Sequence, residues 1–89
     1  MAKIKIYHSK GCKYCPDALS FTREIAKIFG IPLEEIDVTN DIATLVSDKI
    51  IGVPTAVLCN NGREIKRYEG LRKIINELVN DILKLEVEA

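Results

Sequence analysis

The sequence predicts an α/β domain with elements in the order β-α-β-α-β-β-α, a four-stranded mixed sheet with three helices on its two faces. Three observations predict it. Apolar residues recur first at a period of two near the N-terminus, then at three and four over Ala18–Phe29 and again over Leu71–Leu83. Thr55–Cys59 is almost wholly apolar or small, the pattern of a strand buried on both faces. Asn61-Gly62 follows, the strongest short signal for a hairpin.

Taken in order, Ile4 and Ile6 alternate with Lys3 and Lys5, and Tyr7 continues this first strand to near Ser9. Gly11 breaks the alternation and an amphipathic helix follows. On its wheel Ala18, Leu19, Phe21, Thr22, Ile25, Ala26, Ile28 and Phe29 share one half, and Asp17, Ser20, Arg23, Glu24 and Lys27 the other. Gly30, with Pro32 just beyond, ends it. Leu33–Thr39 reads as the second strand, with Ile36 and Val38 as its apolar positions. Asn40 or Asp41 caps a short helix bearing Ile42, Leu45 and Val46 on one face. Gly52-Val53-Pro54-Thr55 interrupts it before the central strand, and the hairpin leads into a fourth strand, Glu64–Tyr68. After Gly70 the last helix repeats Leu71, Ile74, Ile75, Leu78, Val79, Ile82 and Leu83 at three and four. The first βαβ unit requires a right-handed parallel crossover, while the hairpin makes the last strand antiparallel.

Composition narrows the function. Eighty-nine residues suit one core, here residues 1–89, and 47% hydrophobic content is enough to build it. Thirteen basic and thirteen acidic residues cancel, so nothing general favours nucleic acid or an anionic membrane as partner. No apolar run approaches the roughly 18 residues of a membrane helix. The charged alternation at the N-terminus is unlike a secretion signal. Three cysteines cannot form a closed set of structural disulfides. The expectation is a soluble, cytoplasmic monomer that uses cysteine for chemistry.

That chemistry centres on Cys12-Lys13-Tyr14-Cys15, between the first strand and the first helix. A helix N-terminus presents unpaired N–H groups and partial positive charge, which favour a thiolate. Thiolate is the attacking species in disulfide exchange. Lys10 and Lys13 flank Cys12, and with Lys3 and Lys5 they give a formal +4 before the first acid, Asp17. On the wheel Cys15 falls in the apolar arc, about 60° from Ala18, while Cys12 lies at its border ahead of the first full turn. Cys12 is then the accessible nucleophile and Cys15 the shielded resolving thiol. His8, four residues earlier, would lower the Cys12 pKa if its cation lay close; an exposed strand-end histidine is the plainer reading.

A CxxC pair by itself is also half of a zinc site. Here a metal or iron–sulfur module using Cys12 and Cys15 would have to recruit Cys59 and His8. Cys59 lies within an apolar strand, reading as a small core residue, and scattered single ligands are unlike the paired spacing of structural zinc sites. The expectation is no bound metal. Tyr7 and Tyr68 either border the site or cover the sheet.

Pro54 opening a buried strand removes a ladder donor. With Cys12–Cys15 after the first strand, Val53-Pro54-Thr55 about forty residues later, the Asn61-Gly62 hairpin and Tyr68-Glu69-Gly70 before the last helix, the chain resembles the thioredoxin and glutaredoxin superfamily over nearly its whole length. The resemblance implies a minimal thioredoxin fold, a redox-active Cys12–Cys15 disulfide and a cis Val53–Pro54 bond beside it. It further implies that the Val53 backbone docks an extended substrate segment, with Lys13, Tyr14, Pro54 and Thr55 around it and Lys10 and His8 tuning the thiolate.

Length and Tyr14 resemble glutaredoxins. Lys13 stands where the common glutaredoxin motif has proline, and Arg72 where an acid helps hold glutathione. Ile6 occupies the stretch where thioredoxins bury an aspartate. The implied function is reduction of protein disulfides, with glutathione or a thioredoxin reductase as external reductant; a glutathione-dependent glutaredoxin is the alternative.

Overall fold

The computed structural model describes residues 1–88. The strands are β1 (Ala2–His8), β2 (Leu33–Asp37), β3 (Thr55–Asn60) and β4 (Arg63–Glu69); the helices are α1 (Cys15–Phe29), α2 (Ile42–Ser47) and α3 (Leu71–Glu88). The strands form one mixed sheet in the order β2-β1-β3-β4. β1 runs parallel to β2 and antiparallel to β3, and β4 is antiparallel to β3.

Side chains alternate across the sheet. Ile4, Ile6, Ala56, Leu58 and Tyr68 turn to one face, where Ala18, Ile25 and Ala26 of α1 and Ile74, Leu78 and Ile82 of α3 cover them. Tyr7 and Val57 turn to the other, where Val38, Ile50 and the partly buried Leu45 of α2 pack. Internal strand β3 is buried on both faces from Thr55 to Leu58, which is why its sequence carries no polar alternation.

Local chemistry sets the ends of the elements. Gly30 adopts φ 64° and donates to Lys27 O, while Ile31 donates to Ala26 O at 2.9 Å, closing α1. Asp41 caps α2 by accepting from the Thr44 N–H at 3.0 Å. Asn61 and Gly62 both have positive φ, 54° and 79°, as a tight hairpin of this twist requires. The N-terminal ammonium donates to the Asn61 side chain, fastening the start of β1 to this turn.

Several boundaries and exposures differ from expectation. β2 ends at Asp37, not Thr39, because the Asp37 carboxylate accepts from the Thr39 N–H at 2.9 Å and bends the chain. Val38 still donates to His8 O at 2.8 Å and stays buried. Ile28 is exposed, as it lies about 100° round the helix from the middle of the buried arc. In α2 only Leu45 reaches the core; Ile42 and Val46 are exposed, since six residues give a single inward turn. Ile75 and Leu83 of α3 likewise flank the buried line Ile74, Leu78, Ile82 and are exposed. Tyr7 and Tyr68 are core residues on opposite faces of the sheet.

Candidate active site

The topology gathers three separate stretches of sequence at one end of the sheet. Tyr7 near the end of β1 pairs with Thr55 at the start of β3, and Thr55 pairs with Glu69 at the end of β4. The cysteine turn that follows β1, Pro54 just before β3, and Gly70 just after β4 therefore lie at that end together. The Gly70 N–H donates to Pro54 O at 2.9 Å, so the last two stretches are directly bonded.

Cys12 and Cys15 form a disulfide with a Cα–Cα separation of 5.4 Å. Gly11 supplies the left-handed turn that brings the chain out of β1, with φ 78°. Cys12 lies in the turn ahead of α1, and Cys15 is the first helical residue, with Pro16 following it in the first turn. The Cys15 N–H donates to Cys12 O at 3.4 Å and the Ala18 N–H to Tyr14 O at 3.1 Å. Burial separates the two sulfurs' environments: Cys15 is 2% exposed, whereas Cys12 is partly exposed. Between them Lys13 and Tyr14 face solvent, with the Lys13 ammonium 5.5 Å from the Tyr14 ring centroid.

The Val53–Pro54 peptide bond is cis. Pro54 is buried and Val53 half-buried, and neither the N–H nor the C=O of Val53 enters the backbone hydrogen bonds among the described residues. Thr55 is 1% exposed and donates its hydroxyl to Gly52 O at 2.6 Å, so its side chain braces the loop from within. Beside Val53, a groove of about 340 Å³ runs between Lys10, Thr39 and Asn40 on one wall and Ile51 and Gly52 on the other.

The charge arrangement differs from the simple count of lysines. Lys3 lies near the start of β1, roughly 16 Å along the strand from His8, and pairs with Glu34 at 2.6 Å. Screening over about 8–10 Å removes its influence on the cysteines. Of the four, Lys10 and Lys13 are those at the redox end. His8 is half-buried and stands beside Asp37 in the β1–β2 register. Hydrogen bonds from Thr39 hold the Asp37 carboxyl below its usual range, with smaller contributions from His8 and Lys10. His8 and Lys10 thus also face an acid that the sequence pattern does not connect to them. Thr39 was missed as well: its hydroxyl accepts the Lys10 N–H at 2.7 Å and ties the cysteine turn to the bend after β2. The spacing Asp37-x-Thr39 is the local signal for that turn.

Cys59 is a free, partly buried thiol that packs against the smaller core on the α2 face. Its strand runs away from Pro54, so it lies toward the hairpin end of β3. Among the described residues no three His, Cys, Asp or Glu side chains come together as a metal site. No helix among the described residues is long and apolar enough to cross a membrane.

A family model for the thioredoxin domain matches residues 2–80. The chain belongs to that family. Thioredoxin 1 of the thermophilic bacterium Thermosipho africanus superposes with a TM-score of 0.77 at 28% identity, over 94% of this chain and 97% of that one. Fasciola hepatica thioredoxin gives 0.79 at 18% identity over 93% and 79%. A malarial protein gives 0.81 at 20% identity over 94% and 96%. Curated proteins yielded no match by sequence. A thioredoxin fold carrying a CxxC disulfide at the start of α1 supports thiol–disulfide oxidoreductase chemistry. Short length does not divide thioredoxin from glutaredoxin here, since the Thermosipho thioredoxin is spanned almost end to end.

Proposed function

We propose that this thioredoxin-domain protein reduces disulfides of other proteins, cycling between the Cys12–Cys15 disulfide and the dithiol. The observation that carries the reading is the unequal burial of two bonded sulfurs at a helix start. In the reduced protein the Cys12 thiolate attacks one sulfur of a substrate disulfide. That bond breaks, the departing thiolate takes a proton from water, and a mixed disulfide to Cys12 remains. Cys15 then gives up its proton, attacks the Cys12 sulfur and expels the second substrate thiolate. Two electrons have passed to the substrate, and glutathione or a thioredoxin reductase returns them to the pair.

Around this step the α1 N-terminus, with Lys10 and His8, favours the Cys12 thiolate. Lys13 and Tyr14 face the substrate from one side. Val53, before Pro54, offers a free N–H and C=O to an extended segment, a mode of docking that pairs with backbone and does not read side chains. Thr55 supports that loop from beneath. Both cysteines lie on one chain, so a monomer suffices. A dithiol donor suits a compartment where thiols are kept reduced, which supports a cytoplasmic location.

Catalysed reduction of insulin by dithiothreitol tests the reading. Acceleration over dithiothreitol alone, abolished in Cys12→Ser, is expected; no acceleration rejects it. Turnover of a glutathione mixed disulfide without a reductase would move the assignment to glutaredoxin.

A further inference from the structure

Asp48–Val53 joins α2 to Pro54 without forming helix or strand, and it is held at both ends. At the far end Thr55 grips Gly52 O, and Pro54 O accepts the Gly70 N–H. At the near end the holder is Arg67, on edge strand β4. Its Nη2 donates to Asp48 O at 2.6 Å and its Nη1 to Lys49 O at 2.7 Å. Glu64 steadies the guanidinium by accepting from Nε at 2.7 Å and from Nη2 at 3.1 Å. Tyr7 adds a hydroxyl hydrogen bond to the Asp48 carboxylate at 2.8 Å.

The two carbonyls are that of the C-cap of α2 and the one after it, neither of which a backbone N–H reaches among the described residues. Asp48 is the C-cap, and Lys49 has a left-handed φ of 56°. Arg67 thus caps α2 from a strand distant in sequence. Between its two anchors, Ile51 stands 85% exposed and Val53 keeps its backbone groups free.

We propose that Arg67 is a positioning residue for substrate docking, setting the Val53 backbone edge by fixing the Asp48 and Lys49 carbonyls. This rests on the reading that Val53 docks an extended substrate strand. The geometry demands arginine. A planar fork reaches two successive carbonyls while its third nitrogen meets Glu64, whereas a lysine ammonium is a single point of attachment. Loosening the loop should weaken strand pairing and leave the sulfur chemistry of Cys12 and Cys15 alone.

The test compares wild type and Arg67→Lys on insulin and on hydroxyethyl disulfide, which has no backbone to pair. Arg67→Lys should raise the KM for insulin about fivefold, the worth of roughly one hydrogen bond, with kcat and hydroxyethyl disulfide turnover unchanged. Amide exchange should quicken at Lys49 and Ile50, whose N–H groups bond Val46 O and Leu45 O, and stay constant in β1 and β3. An unchanged KM overturns the assignment. So does an equal loss on both substrates with faster exchange throughout the sheet, which marks Arg67 as merely structural. Wild-type protein that fails to accelerate insulin reduction overturns the reductase reading itself, and the Arg67 assignment with it.

Discussion

Tyr68 on β4 donates its hydroxyl to the Asp81 carboxylate on α3 at 2.7 Å, inside a core that leaves the ring no exposed surface. Lys66 meets the same carboxylate at 3.1 Å and Glu77 at 2.8 Å, so the edge strand is tied to the last helix by one buried hydroxyl and a surface cation. Removing that hydroxyl in Tyr68→Phe leaves the ring packing intact and deprives Asp81 of one donor. We expect a loss of about 1 kcal/mol, or a fall of about 4–8 °C in Tm. Thermal unfolding by circular dichroism checks it, and a Tm within 1 °C, roughly, of wild type would show that Lys66 alone satisfies the carboxylate.

The same hydroxyl, with that of Tyr7, predicts alkaline behaviour. Burial, and then the hydrogen bond to a carboxylate, raises both phenols above their ordinary range. Because the folded pKa values lie above the unfolded one, their contribution is complete below about pH 10 and declines as pH rises beyond it. Urea midpoints should therefore drop between about pH 10 and 11.5. In the Tyr7→Phe, Tyr68→Phe double variant the drop should be shallower; an equally steep drop would assign it to other groups.

Cys15→Ser should trap the intermediate. With the resolving sulfur gone, the mixed disulfide on Cys12 cannot be displaced from within the chain. Non-reducing mass spectrometry after mixing with a disulfide substrate should show a covalent adduct on Cys15→Ser and none on Cys12→Ser. An adduct on Cys12→Ser instead would reverse the two roles.

Gly62→Ala isolates backbone conformation from packing. Nothing stands within 4 Å of an added Cβ, so the whole effect comes from φ 79°. The expected cost is about 1–2 kcal/mol, read as a shift in urea midpoint at constant slope. A neutral result would mean that the hairpin moves to another turn.

The active-site cysteines were legible because they obey local rules: Cys12 and Cys15 sit where strand periodicity changes to helix periodicity, and the wheel puts Cys15 on the buried side. Charge was less legible. Counting Lys3 and Lys5 toward the thiolate treats the chain as a point, whereas a strand carries Lys3 away from the site and to Glu34. The apolar faces of α1 and α2 were drawn too wide, because a wheel shows direction and not how far the neighbouring sheet extends, which left Ile28, Ile42 and Val46 in solvent.

By itself the sequence determined the order of elements, the buried central strand, the hairpin at Asn61-Gly62 and the paired cysteines at a helix start. Each follows from interactions among residues close along the chain. The tertiary structure decided what depends on distant partners: Thr39 holding the Lys10 amide, Gly70 bonded to Pro54, and Arg67 capping α2 across some eighteen residues. Such contacts arise only when strand register brings the segments together, and no local periodicity records them.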